Sequence, residues 1–361
     1  MREEGFHALL VYSFKSNAIR YLSNYSPRYS VTNSALMVLP LEAEPVIFTR
    51  LPMHLEEAKR ASYVKDVRVS VSASLNVAST EQMAADCRDV LKGAGAEEGK
   101  LGLIGYGPEM GISLALRNAL PRARIVDANY VLEELRIIKS KNELAMIRRA
   151  AEIADEAYEA ALDAIRERKV DYEVFAASEF AMRKNGALGT QTFFGICEAD
   201  KVFLQPTGER IKEGAVYFLE TIPEYEGYWP ERTGNVAVGK FSDSWGKIFK
   251  IVEDLYDQSL GVIRPGITVA ELVKRTSEFA HRAGLERLSY RLGHGIGLDN
   301  IERPEFLSET DETTIRPGMV FAIHPTISIP GVGSAHVGGT FIVNDSGADP
   351  LSRLEPRIPR L

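Results

Sequence analysis

The sequence predicts two domains, an α/β domain followed by an α+β domain. Three observations carry this reading. The chain has 361 residues, more than one ordinary hydrophobic core accommodates. Short apolar runs alternate with helical patterns over the first third, the mark of a layered α/β structure. That rhythm stops at residues 133–140, where a long amphipathic pattern begins. The expected division is 1–133 and 134–361.

In the first domain, residues 8–12 (ALLVY), 35–39 (ALMVL) and 45–48 (PVIF) read as strands. Residues 64–71, 101–104 and 123–126 continue the series. Helices are expected between them at 55–61, 81–91 and 112–120. The second domain opens with a helix over 141–168, whose Leu144, Ile147, Ala151, Ala154, Tyr158 and Leu162 share one broad face. A second helix is expected over 172–184. Residues 215–219 and 236–238 read as paired strands. Helices over 245–260 and 269–283 are separated by the break Arg264-Pro265-Gly266. Strands at 289–292, 319–323 and 340–343 complete the pattern.

Composition narrows the function. Apolar residues make up 45% of the chain and charged residues 26%, and the formal net charge is −7. That balance opposes general nucleic-acid binding, which needs clustered Lys and Arg. No basic segment leads into an apolar run at the start, and no apolar run is long enough to span a bilayer. Cys87 and Cys197 are the two cysteines and have no metal-ligand spacing. The expectation is a cytoplasmic protein with reduced thiols, no membrane and no nucleic-acid partner.

Four segments carry chemistry. Gly293-His294-Gly295-Ile296-Gly297-Leu298 is followed by Glu302-Arg303-Pro304. Leu135-Arg136 precedes Lys139-Ser140, Glu143 and Ile147-Arg148. Gly227-Tyr228 precedes Glu231-Arg232-Thr233, and Pro317-Gly318-Met319-Val320-Phe321 opens a strand. In this order and spacing they resemble the creatinase and Xaa-Pro peptidase family, over nearly the whole chain. The resemblance implies a creatinase/prolidase-type N-terminal domain and a "pita-bread" C-terminal domain.

Peptidases of that family hold two divalent metals with Asp, Asp, His, Glu and Glu. Position by position, the first Asp falls on Glu220, the second on Glu231 and the His on His294. The first Glu falls on His324 and the last on Gly338. One side chain is lost and one becomes imidazole, so two adjacent divalent cations would repel each other with poor compensation. The expectation is a cleft without the dinuclear centre and without a cofactor. The alternative is one divalent ion, Zn, Fe or Mn, on Glu220, Glu231, His294 and His324. His336, two residues before Gly338 on a predicted strand, would share its face.

Glu231, His294 and His324 are the expected catalytic residues. Glu220, His336, Tyr228 and Arg232 are expected to hold substrate. The leading expectation is hydrolysis of a C–N bond in a small polar amino-acid derivative, as metal-free creatinase does. Creatinase has a histidine base where this chain has Leu204. The alternatives are an Xaa-Pro dipeptidase or aminopeptidase with an altered single-metal site, and a binding protein that kept the fold. The resemblance also implies a homodimer.

Overall fold

The computed structural model describes residues 1–13, 17–27, 34–70, 79–105, 110–198, 201–202, 205–285 and 291–361. The chain forms two compact units, Met1–Glu134 and Leu135–Leu361. Leu204 lies outside the described residues.

In the first unit the strands are β1 (Ala8–Ser13), β2 (Ala35–Pro40), β3 (Val46–Thr49), β4 (Asp66–Val69), β5 (Lys100–Ile104) and β6 (Arg124–Asp127). They build one six-stranded sheet in the order β4-β3-β2-β1-β5-β6. The pairs β1/β2 and β2/β3 are antiparallel and the rest parallel. Its helices are α1 (Ala18–Ser23), α2 (Leu55–Ala61), α3 (Thr80–Gly93), α4 (Met110–Ala119) and α5 (Asn129–Arg136), the last running into the second unit. Residues of β1 alternate between two cores. Leu10 joins Met83, Cys87 and Leu116, whereas Leu9 and Val11 join Ile19, Tyr25 and Ala58. Such two-sided burial explains why these strands read as continuous apolar runs.

The second unit contributes α6 (Lys141–Arg166), α7 (Asp171–Lys184), β7 (Gly189–Glu198), β8 (Lys201–Val202), β9 (Val216–Glu224), β10 (Arg232–Ala237), α8 (Asp243–Val262), α9 (Val269–Arg282), β11 (Gly293–Gly295), β12 (Val320–Ile323), β13 (Thr326–Ile329), β14 (Gly333–Asn344) and β15 (Gly347–Pro350). Serine and threonine caps set three helix starts. Ser140 and Glu143 form a reciprocal capping box at α6, and Ser242 and Thr268 accept backbone N–H groups at α8 and α9. The sheet runs β11-β12-β14-β10-β9-β7-β8, with β13 and β15 also on β14. Thr221 Oγ1 donates to the Ala154 carbonyl, and α8 packs against β14, so helices cover one face and leave the other to the cleft.

Several expected boundaries move. The helix expected to reach 168 ends at Arg166, and Arg168 has a positive φ of 54°. The strand expected at 289–292 is absent over 291–292, and 289–290 lie outside the described residues, as does residue 71 of the strand expected over 64–71. β11 starts directly after residue 292, at Gly293, and carries His294. Of the expected strand 236–238, residues 236–237 end β10 and 238 lies beyond it, and 340–343 falls within the last part of a strand of twelve residues. No helix among the described residues is long and apolar enough to cross a membrane.

Candidate active site

The site is laid out by strand register. A two-residue turn joins β9 to β10: Tyr225 and Tyr228 exchange both backbone hydrogen bonds, and Glu226 and Gly227 have φ of 48° and 89°. Both central residues of such a turn need positive φ, which Gly227 supplies without strain. The turn fixes Arg232 opposite Thr221 and Thr233 opposite Glu220. Glu231 therefore stands diagonally beside Glu220 on the cleft face. Thr233 also pairs with Gly338 on β14, and Ile323 pairs with Gly339, which brings His324 against Gly338. His294 pairs with Ala322 on the neighbouring strand.

Glu231, His294 and His324 converge here and are buried. The Glu231 Oε2 lies 3.3 Å from His294 Nε2, and its Oε1 lies 3.7 Å from His324 Nε2. His294 Nδ1 is 2.9 Å from the Gly295 carbonyl. A carbonyl only accepts, so Nδ1 carries the ring proton, and in the neutral ring Nε2 presents a lone pair to the carboxylate. Desolvation keeps His324 neutral, with its pKa lowered to about 4. Glu231 Oε1 has no hydrogen-bond partner among the described residues. Three buried donors this close to one another could hold a metal ion. The donor set, two imidazoles and a carboxylate, matches a single divalent ion with the donor's second nitrogen held by a carbonyl.

Glu220 completes the acid pair and remains partly exposed. Desolvation and the adjacent Glu231 charge raise its pKa well above the ordinary carboxyl value, and it hydrogen-bonds Glu231. Against its own burial, Glu231 is held low by His324 and His294.

His336 occupies the cleft face of β14, where its ring lies 4.1 Å from Phe218 and its backbone N–H donates to Asn235 Oδ1. Its Nε2 is buried without a partner among the described residues, and it stands outside the converging triad. Tyr228 packs with Trp229 against Ile147, Ile296 and Val320, an apolar cluster beside the His294 segment. Arg232 does not reach the cleft. Strand alternation turns it to the helix-covered face, where it is buried 4.8 Å over the Tyr158 ring and donates to the carbonyls of Gly338 and Glu355.

Two structural supports were not legible as site residues. Thr340 Oγ1 accepts the Glu231 backbone N–H at 2.7 Å, and period-two spacing from Gly338 would have located it. The other is a buried ion cluster behind His294. Arg136 pairs with Asp299 at 2.7 Å and with Glu302, and Lys139 pairs with Glu302 at 2.9 Å. Two of the sequence motifs are thus partners of one another: the Arg136/Lys139 segment anchors the loop that follows Gly293–Leu298.

Residues 145–345 match metallopeptidase family M24, and residues 1–138 match the creatinase/prolidase N-terminal domain. The chain belongs to family M24, with the pita-bread fold in its second unit. It is 33% identical over 233 residues to an Xaa-Pro dipeptidase of Pyrococcus furiosus, a match covering 63% of this chain and 66% of that protein. The chain thus spans slightly less than two thirds of the length of that relative. An Xaa-Pro dipeptidase structure from Bacillus anthracis superposes with a TM-score of 0.85 at 25% identity, covering 100% of this chain and 96% of that one. The prolidase structure from Pyrococcus horikoshii gives 0.84 at 26%, covering 98% and 95%.

Proposed function

We propose that this protein hydrolyses Xaa-Pro dipeptides with a divalent metal held by Glu231, His294 and His324. The convergence of those three buried donors around a carboxylate oxygen without a hydrogen-bond partner among the described residues carries the proposal. The relatives named above support it, and they favour it over the metal-free, creatinase-like C–N hydrolase that the altered ligand positions first suggest. When bound, the ion supplies a Lewis acid for the scissile carbonyl and activates water.

The chain's own groups do the rest. Glu231 presents one oxygen towards each imidazole. The Gly295 carbonyl fixes the His294 tautomer. Glu220, the one member of the acid and histidine group that is partly open, holds the dipeptide's amino group through a charge-assisted hydrogen bond. His336 Nε2 offers a second polar contact to the substrate. The assembly we propose is a homodimer, and a monomeric mass by light scattering at micromolar protein overturns that part.

The test is an assay of chelator-stripped protein on Xaa-Pro dipeptides, N-acylated amino acids and guanidino acids, with and without Zn, Mn or Fe. Turnover of Xaa-Pro dipeptides restored by metal is expected. Turnover of a guanidino acid by the stripped protein, with none on dipeptides, overturns the proposal.

A further inference from the structure

We infer that this centre holds one metal ion and that the position of a second is closed by main chain. The inference rests on the metal-dependent reading above and concerns how many ions the site accepts. Gly338 is the key. A Cβ placed there would lie 2.3 Å from the Ile323 carbonyl oxygen, 2.6 Å from His324 Cβ and 2.7 Å from His324 Cα. Two of these three contacts are with backbone atoms, and the third is with the first side-chain carbon, so no rotamer change relieves them. A carboxylate cannot be carried from this position with the strands where they are.

Neither strand can back away freely. On one side, the His324 N–H donates to the Leu292 carbonyl at 2.9 Å, and β12 is laddered to β14 through Ile323 and Gly339. On the other, Thr233 pairs with Gly338, and the Arg232 guanidinium holds the Gly338 carbonyl at 3.0 Å from the helix-covered face. Arg232 is itself pinned by Tyr158 and the Glu355 carbonyl. The close approach is therefore held by ladders on both flanking strands and, from the helix-covered face, by Arg232.

Charge and donor count agree with the steric result. Glu220 and Glu231 bring at most two formal charges between them, against four for a pair of divalent ions. After Glu231, His294 and His324 take one ion, a second would find Glu220 alone, because His336 lies outside the donor group.

The experiment is metal stoichiometry on the full chain. Stripped protein is titrated with Co2+, followed by its visible absorption, and with Zn2+, followed by dialysis and elemental analysis. Absorbance saturating at one equivalent and one retained Zn2+ per chain are expected. His324→Glu, which restores an acid but leaves Gly338 in place, is expected to retain no more than one. Gly338→Ala is expected to melt several degrees below the parent or fail to fold. Two retained ions per chain in the parent overturn the inference while leaving the metal-dependent reading intact. A parent that retains no ion overturns both. A Gly338→Ala variant as stable as the parent overturns the main-chain closure.

Discussion

Glu231 is the residue on which the site turns, because each of its oxygens faces a different imidazole. Glu231→Gln keeps the shape and removes the charge, so turnover should fall by on the order of 10²-fold or more. His294→Asn and His324→Gln should do the same, with metal retention falling in all three. Parent-like kinetics in all three would place the chemistry elsewhere. His336 poses a different balance. Its buried Nε2, without a partner among the described residues, costs stability, on the order of 1 kcal/mol, so His336→Phe beside Phe218 should raise the melting temperature. The same change should raise KM for a dipeptide; an unchanged KM would remove His336 from substrate contact. Cys197 is pushed up to about 12 by burial, and Cys87 is raised further by the same cause. Neither thiol should react with a disulfide reagent in the native state at pH 8, and both should after unfolding. At this scale the motifs name Glu231, His294 and His324, whose side chains come together in the fold, and their catalytic role remains the proposal made above. The sequence reading misplaced Arg232, because adjacency along a run was read as a shared site, whereas a strand sends neighbours to opposite faces.

Among the elements, the loop after β11 depends on the ion cluster of Arg136, Lys139, Asp299 and Glu302. Glu302 is buried, which alone would raise its pKa, yet Lys139 and Arg136 hold it down to about 2. A carboxyl lowered on folding stabilises the protein above its ordinary value of 4.5 and loses that contribution as pH falls towards about 2. Urea midpoints should therefore drop through this interval, and Glu302→Gln should lack that part of the drop. The variant should also be less stable at pH 7 by about 3–5 kcal/mol, since it leaves two buried cations short of a partner. Capped helices such as α6 and α9 were legible because caps and periodicity agree. β7 and most of β14 were not. Gly189–Glu198 mixes glycine and threonine with its apolar residues, and β14 carries Gly338-Gly339 in its middle. These strands are stabilised by ladders on both sides, a property of partners distant in sequence.

At the scale of the whole molecule, each unit has its own hydrophobic core. The first buries both faces of its six-stranded sheet within residues 1–134. Expressed alone, that segment should give a cooperative thermal transition with near-UV circular dichroism; a featureless melt would show that it needs the second unit to fold. The rhythm of the sequence changes near residue 133, and the compact units are Met1–Glu134 and Leu135–Leu361. The pairing of the Arg136 and Glu302 segments was not legible in the sequence, because contact between residues more than 160 positions apart leaves no local pattern.

The closeness of Gly338 to residues 323–324 also bears on the history of this sequence. A lineage that loses an acidic ligand by a single codon change can usually regain it by another. Here residues 323–324 lie against Gly338, so an acid gained at 338 would meet backbone before it met a metal. A single codon change at that position is therefore expected to cost stability without adding a ligand.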